Sequence, residues 1–313
     1  MNSPEQLPAE IRERSFSTSE AAELGVSRAR TRRKDLLTAS RGIRVPWGVQ
    51  QDFASVVAPI LKVTPRAVLC HGSAAKLWKL PIPGWVQSER QIHVAKLSPS
   101  SSILRAGVRA HRLRLRASEI TDLYGLAVTS PARTWLDLAG LLSFAELVAM
   151  GDAMVCQYQR SFGPARTALC STSDLAQIIE NHKGARSIRL ARLALDAIRV
   201  GADSPPETYL RLALVDSGTP EPEMGLVIFD SSGTEIAWPD LAYRQYRISI
   251  QYDGGHHLSV EQQARDARRD LETARAGWIT IKVTREMTRD RGYPGVAQMI
   301  RRLLLERGWK RSA

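Results

Sequence analysis

Trp238-Pro239-Asp240, followed by Ile248-Ser249-Ile250-Gln251-Tyr252-Asp253-Gly254-Gly255-His256-His257, is the stretch on which the reading of this chain turns. From Tyr246 to Tyr252 polar and apolar residues alternate with a period of two, the pattern of a half-buried strand. In that alternation Arg247, Ser249, Gln251 and Asp253 share a face, so Gln251 and Asp253 point the same way. Asp240 follows Ile236-Ala237-Trp238-Pro239, and proline suits the start or edge of a strand. Asp253-Gly254-Gly255 reads as a turn, which would bring His256 or His257 back over the site.

Acidic, amide and imidazole groups are thereby gathered at the edges of two strands, with Glu207 in a helix before them and a basic helix after. Hydrolysis of a phosphodiester needs extra negative charge on phosphorus stabilised and a nucleophile made from water at neutral pH. One or two Mg²⁺ ions do both. Mg²⁺ takes hard oxygen ligands and keeps several waters, so one or two carboxylates suffice. Asp240 is the central candidate ligand, Glu207, Gln251 and Asp253 are its candidate helpers, and His257 is the candidate proton donor to the leaving oxygen. Gln251 offers a neutral amide oxygen and no charge, which weakens metal affinity and water activation. Each piece has an ordinary structural reading too. Asp253-Gly254 alone is a hairpin signal, paired histidines are usually solvated, and Glu207 beside Pro205-Pro206 is a first-turn acid favoured by the helix macrodipole. Their order in one segment favours the functional reading.

The same segment carries a longer ordered set. It comprises Ser204-Pro205-Pro206-Glu207-Thr208 with Leu210, Arg211 and Leu214, then Gly218, Pro220, Pro222 and Gly233. Pro239-Asp240, Tyr252-Asp253-Gly254 with His257, Asp266 with Arg269, and Gly277-Trp278 before a strand over 279–284 complete it. On these residues the stretch from about Ser204 to Trp309 resembles the very-short-patch-repair-type branch of the PD-(D/E)XK nuclease superfamily. The resemblance implies a restriction-endonuclease-like mixed sheet flanked by helices, DNA as substrate, and Mg²⁺ or Mn²⁺ as cofactor. It also implies that Asp240 is the metal aspartate, Glu207 a helix glutamate completing the metal site, and His257 a histidine of that branch. Gln251 stands where the superfamily normally has Glu. Asp253 stands where many members have Lys and this branch commonly has Asp; Lys282 on the following strand is a candidate replacement.

A second pattern runs from Ser15 to Gly48. Ser17 and Glu20, three apart, fit a capping box at a helix start, and Gly25 ends that helix. Ser27 caps an expected second helix over Arg28–Leu37, dense in arginine, and two short helices joined at a glycine turn make a helix-turn-helix. Its second helix would enter the major groove, and 41–48 reads as a wing strand. Arg28, Arg30, Arg32, Arg33, Lys34 and Arg44 are the candidate DNA contacts, although a basic amphipathic helix is more often only a solvated face. Phe16-Ser17, Ala21-Ala22, Gly25-Val26-Ser27-Arg28, His71-Gly72-Ser73-Ala74-Ala75 with Leu77, Val108 with His111-Arg112, and 125–134 with Asp137-Leu138-Ala139 form a further ordered set. On it, residues from about Arg14 to Val155 resemble actinobacterial proteins related to the antitoxins of abortive-infection (type IV) toxin–antitoxin systems. The resemblance implies a winged-helix DNA binder and, as a further partner, a cognate toxin.

Between these ends, 68–80 reads as an apolar helix, 91–95 and 108–116 as strands, and Ser130-Pro131 as a helix start. Residues 174–200 read as two basic helices broken at Lys183-Gly184-Ala185, and Gly201-Ala202-Asp203-Ser204-Pro205-Pro206 as a boundary. His71, His93 and His111 show no Cys or carboxylate at zinc-ligand spacing, so no metal role is expected there.

A formal net charge of +12 favours a polyanionic partner. Arg268 and Arg269, in the helix after the site, are further candidate DNA contacts. Cys70, Cys156 and Cys170 are odd in number without a CxxC pair, which suits reduced thiols in the cytoplasm. Met1 to Glu13 lacks the apolar core of a secretory signal, and no apolar run is long enough to span a membrane. The expected class is α+β or α/β in four parts: a winged helix-turn-helix over 1–50, an α+β scaffold over 51–160, a basic helical connector over 161–203 and a nuclease-like mixed sheet over 204–313. The expected function is metal-dependent hydrolysis of double-stranded DNA in defence or repair. The rival is a non-catalytic regulator or antitoxin that uses the same domain as a DNA clamp.

Overall fold

Ser17 starts the first well-capped helix: its hydroxyl accepts from Glu20 N at 3.0 Å while the Glu20 carboxylate accepts from Ser17 N, the expected capping box. The computed structural model describes residues 5–96, 105–158, 165–253 and 260–311, with side chains for all of these except 260–263. His257 therefore lies outside the described residues. The protein is a mixed α+β chain with several small sheets. It divides into two compact units, 1–141 with 178–188 and 142–177 with 189–313.

The first unit runs through α1 (Ala9–Arg12), β1 (Phe16–Ser17), α2 (Thr18–Glu23), β2 (Leu36–Ser40), β3 (Ile43–Pro46) and α3 (Phe53–Lys62). It continues with β4 (Ala67–Leu69), α4 (His71–Leu77), α5 (Gly84–Gln87), β5 (Ile92–Lys96), β6 (Val108–His111), β7 (Ile120–Leu123), β8 (Leu126–Thr129) and α6 (Pro131–Leu138). One sheet has the order β1-β3-β2, and a five-stranded sheet the order β6-β5-β4-β8-β7. Ile43 of the small sheet shares a core with Val57, Leu69, Val94 and Val128, so no core boundary falls at residue 50.

Three expectations are corrected here. The basic helix over Arg28–Leu37 does not form; Arg30–Arg32 make one 3₁₀ turn, Arg33 is extended, and β2 begins at Leu36. Gly42, at φ 77, turns the chain so that β2 pairs with β3, and that ladder claims residues a local pattern assigned to a helix. Residues 68–80 likewise split, because β4 joins the five-stranded sheet and only 71–77 are helical. The expected strand over 108–116 ends at His111. Ser130 does cap α6, accepting from Arg133 N at 3.3 Å, with Pro131 in the first turn.

The second unit opens with α7 (Phe144–Val155) and α8 (Thr172–Asn181), the latter ending in the first unit's 178–188 segment. Then follow α9 (Ile188–Ala197), α10 (Pro205–Asp216), β9 (Ile228–Phe229), β10 (Glu235–Ala237), β11 (Leu241–Tyr243), β12 (Ile248–Asp253), α11 (Val260–Arg275), β13 (Ile279–Thr284) and α12 (Arg285–Glu306). β12 is central, antiparallel to β11 and parallel to β13. Leu241, Tyr243, Ile248, Ile250 and Val283 share one core with Leu210 and Leu214 of α10 and with Val296, Ile300 and Leu304 of α12. Alternation sends Ala242, Ser249, Gln251, Thr280 and Lys282 to the opposite face, where Ser249 and Thr280 hydroxyls meet at 2.8 Å.

α10 is anchored by a buried ion pair with α7. Arg211 Nη2 donates to Asp152 Oδ2 at 2.8 Å, and the two side chains are 1% and 0% exposed. Thr208 Oγ1 donates to the same carboxylate at 2.8 Å and Arg199 N at 2.7 Å, while Arg211 reaches Ala197 O and Glu221. Burial pushes the Asp152 carboxyl up, and these donors oppose it. Removing one partner of such a pair strands a buried charge. Asp152→Ala is expected to cost about 3–5 kcal/mol, read by chemical denaturation, whereas Asp152→Leu combined with Arg211→Met recovers most of it. A loss no larger than that of an ordinary surface change, about 0.5 kcal/mol, would remove this pair from the account of α10.

Candidate active site

The register of β11 against β12 places Leu241 opposite Ile250 and Ala242 opposite Ser249; one step further sets Asp240 opposite Gln251. Gln251 in turn lies opposite Lys282 of β13. Directly opposed residues share a sheet face, so Asp240, Gln251 and Lys282 form one row across three strands. Asp240 Oδ2 accepts from Tyr252 N at 2.7 Å, which locks the carboxylate to the strand edge. Asp253 ends β12 exposed, opposite Thr284.

Glu207 is the third residue of α10 and only 7% exposed. Its carboxylate turns back on the helix start, with Oε2 accepting from Asp203 N at 2.8 Å and Oε1 from Ser204 Oγ at 2.6 Å. These bonds hold it in the first turn, the position expected of a helix-start acid, while the helix has no side-chain cap at Ser204. Burial, and then the charge of Asp240, raise the Glu207 carboxyl to about 7. The Asp240 charge thus reaches Glu207, and a bound cation would relieve that repulsion. Two carboxylates and an amide oxygen are hard donors that fit Mg²⁺ or Mn²⁺; Glu207, Asp240 and Gln251 would hold the ion. Lys282 Nζ is paired with Asp270 of α11.

The candidate DNA contacts separate by exposure. Arg28, Arg32, Arg33 and Lys34 are exposed. Arg30 is not available: it is 7% exposed, forks onto Asp35 at 3.0 and 2.7 Å, and donates to Glu5 O. Arg44 is half-buried and donates to Thr31 O at 2.6 Å and Ile43 O at 3.0 Å, so it braces the small sheet. Arg268 is exposed and pairs with Glu272, and half-buried Arg269 pairs with Asp266, both along α11.

A second constellation was not expected from the sequence. In the first unit a cavity of about 380 Å³ is bordered by His71, His93, His111, Glu89, Arg109 and Asp137. The His71 and His111 rings stack with centroids 3.9 Å apart, and His93 lies 4.9 Å from His111. Burial and then the neighbouring imidazoles hold His71 down to about 3; burial and then His93 hold His111 down to about 4. The expectation of no metal role for these histidines rested on local spacing; the fold brings Cys70, His71 and His111 together. The adjacent Cys70-His71 pair was the one signal for this in the sequence. Behind the cavity, Arg133 donates to Asp137 Oδ1 at 2.8 Å and pairs with Glu119, which also meets His182 Nε2 at 2.7 Å. Burial works to raise the Glu119 carboxyl, but His182 and Arg133 hold it below its usual value.

The chain is 25% identical over 225 residues to two uncharacterized proteins of Mycobacterium tuberculosis, MT2308 from strain CDC 1551 / Oshkosh and Rv2248 from strain H37Rv. The match covers 70% of this chain and 74% of each relative. No family model matches the chain, and no solved structure does. Among the described residues no helix is long and apolar enough to cross a membrane.

Glu207 sets a pH dependence. Its folded value of about 7 exceeds the ordinary 4.5, so the folded state binds the extra proton between them. Stability from this group is full below about 4.5 and is lost as pH rises through about 7. At about 1.4 kcal/mol per pKa unit, the loss is on the order of 3 kcal/mol. Asp240→Asn removes one repelling charge and is expected to flatten that slope in denaturation curves taken from pH 4.5 to 8. An unchanged slope would separate the two carboxylates.

Proposed function

We propose that this is a double-stranded-DNA-binding protein whose 204–313 segment is an endonuclease-like domain of the PD-(D/E)XK kind, hydrolysing phosphodiester bonds with Mg²⁺ or Mn²⁺. The observation that carries the reading is the Asp240–Gln251–Lys282 row across three strands, with the buried Glu207 near enough to feel the Asp240 charge. A divalent ion there supplies Lewis acidity and an activated water. Asp240 is its anionic anchor, while Glu207 adds an oxygen once its proton leaves. Gln251 contributes a neutral carbonyl oxygen, and Lys282 supplies a positive charge on the same face. His257 is retained as the proton donor. The element order α10, β9–β10, β11, β12, α11, β13, α12, with β12 between an antiparallel and a parallel neighbour, supports the nuclease-like assignment. The N-terminal winged-helix assignment keeps the two-stranded wing β2–β3 as support but lacks its basic helix. Exposed Arg28, Arg32, Arg33 and Lys34, with the arginines of α11, are the DNA-facing charges, and reduced thiols suit action in the cytoplasm.

Two observations favour the second reading, a non-catalytic DNA-binding regulator or antitoxin with a cognate toxin. Gln251 brings no charge to the ion, and Lys282 is engaged by Asp270.

Supercoiled plasmid and mismatched duplexes incubated with Mg²⁺ or Mn²⁺ decide between them. The nuclease reading expects metal-dependent cutting that is lost in Asp240→Ala and increased in Gln251→Glu. No cutting, with DNA binding intact in both chains, establishes the regulator. Binding in either case should be salt-sensitive; ~6 neutralised phosphates give about a thousandfold loss between 50 and 200 mM salt. Arg33→Ala should lower that salt slope by about one. Arg30→Ala should instead lower thermal stability, because it strands Asp35.

A further inference from the structure

Three neighbouring strands of the first unit carry, in or just after them, side chains that ligate soft and borderline metals. Cys70 follows β4, His93 lies in β5, His111 ends β6, and His71 opens α4. Cys70 N donates to His93 O at 3.1 Å, and His111 lies opposite Ala95, diagonal to His93 on the same face. One donor atom from each of Cys70, His71 and His111 lies within 4.8 Å of the other two.

A packed core of ordinary histidines accounts for this poorly. Buried side-chain nitrogens are nearly always hydrogen-bonded, yet His71 Nδ1 is buried without a partner. His71 also holds φ 49, a left-handed backbone uncommon for a residue with a side chain, and such strain gathers at functional sites. His111 Nε2 lies 3.2 Å from His93 Nδ1, so with that nitrogen donating, His111 keeps Nδ1 for an ion. His93 Nε2 lies 3.2 Å from Glu89 Oε1, a carboxylate behind the imidazole chain, without a formed hydrogen bond. Metal-bound histidines are commonly oriented by partners of this kind.

We propose that Cys70, His71 and His111 bind a Zn²⁺ ion, leaving its fourth position open to the adjoining cavity. Two nitrogens and one sulfur suit zinc and not Mg²⁺, and three protein ligands with an open position is the arrangement of zinc centres that meet a substrate or water. Zn–N and Zn–S bonds of about 2.0–2.3 Å require the donors to close in further. Rotation of His111 at its half-buried strand end supplies that movement. On binding, the Cys70 thiol gives its proton to solvent and the sulfur bonds the ion. His93 and Glu89 act as positioning residues. The site shares no residue with the Asp240 row, so it stands or falls separately from the nuclease reading.

The test uses the full chain without a purification tag, stripped of metal, titrated with Zn²⁺ against a chromophoric chelator and separately with Co²⁺. The expected result is one ion per chain and a near-ultraviolet thiolate-to-cobalt band. That band should disappear in Cys70→Ser, zinc binding should be lost in His111→Asn, and His93→Gln should weaken affinity about tenfold to a hundredfold. Far-ultraviolet circular dichroism checks that each variant is folded; should Cys70→Ser fail to fold, His111→Asn decides. The proposal is overturned by no binding, by a cobalt spectrum without the thiolate band, or by binding that survives His111→Asn. Loss of the ion on changing His256 and His257 to Asn would overturn it equally.

Discussion

The Asp152–Arg211 ion pair is the constraint on which the second unit's site depends. α10 begins at two prolines and would hold Glu207 in an unspecified direction if only its apolar stripe were fixed. Arg211, one turn after Glu207, is clamped by Asp152, Glu221 and the Ala197 carbonyl, and Thr208 shares the same carboxylate. Such a network adds little net stability over an apolar substitute, but it fixes rotation about the helix axis, because a one-position slip would strand both charges. With the axis fixed, Glu207 is held at the helix start within reach of the Asp240 charge. Burial first, and then the Asp240 charge, raise the Glu207 carboxyl to about 7.

The row Asp240–Gln251–Lys282 follows from strand register and not from contact in sequence. β11 runs against β12, β13 runs with it, and the pairing of Ala242 with Ser249 and of Ser249 with Thr280 sets which residues share the face. Slipping either ladder by one residue would turn the polar row into the core. The apolar residues Leu241, Ile250 and Val283 on the other face, packed against α10 and α12, forbid that slip.

In the first unit the corresponding constraint is a buried frame of unlike charges. Glu119, Arg133, Asp137 and His182 hold the turn before β7, α6 and the 178–188 segment together. Arg133 carries the positive charge that makes burial of the two carboxylates tolerable, yet Asp137 is still raised to about 6, first by burial. The neighbouring histidines lie in this half-dry setting, where a nitrogen without a partner is costly.

Caps and strand periods were legible because they depend on neighbours two to four residues away. The Ser17–Glu20 box, the Ser130-Pro131 start of α6, the alternating β12 and the strand over 279–284 all appear as the sequence indicates. So did the helix before the carboxylates and the basic helix after them. The sequence also singled out Asp240 and Glu207, since Pro-Asp and Pro-Pro-Glu mark strand and helix edges. What it misjudged is where a distant partner outbids local preference. Residues 28–37 carry a helical pattern, but pairing with β3 takes Leu36–Ser40 into a sheet, and Asp35 withdraws Arg30 from solvent. The 68–80 stretch gave up its first residues to β4 for the same reason. His71, His93 and His111 are up to 40 residues apart, and only the pairing of β4, β5 and β6 makes them neighbours. Local chemistry is encoded within a few residues; which side chains face one another is decided by sheet register and buried charge, and both are properties of the folded chain.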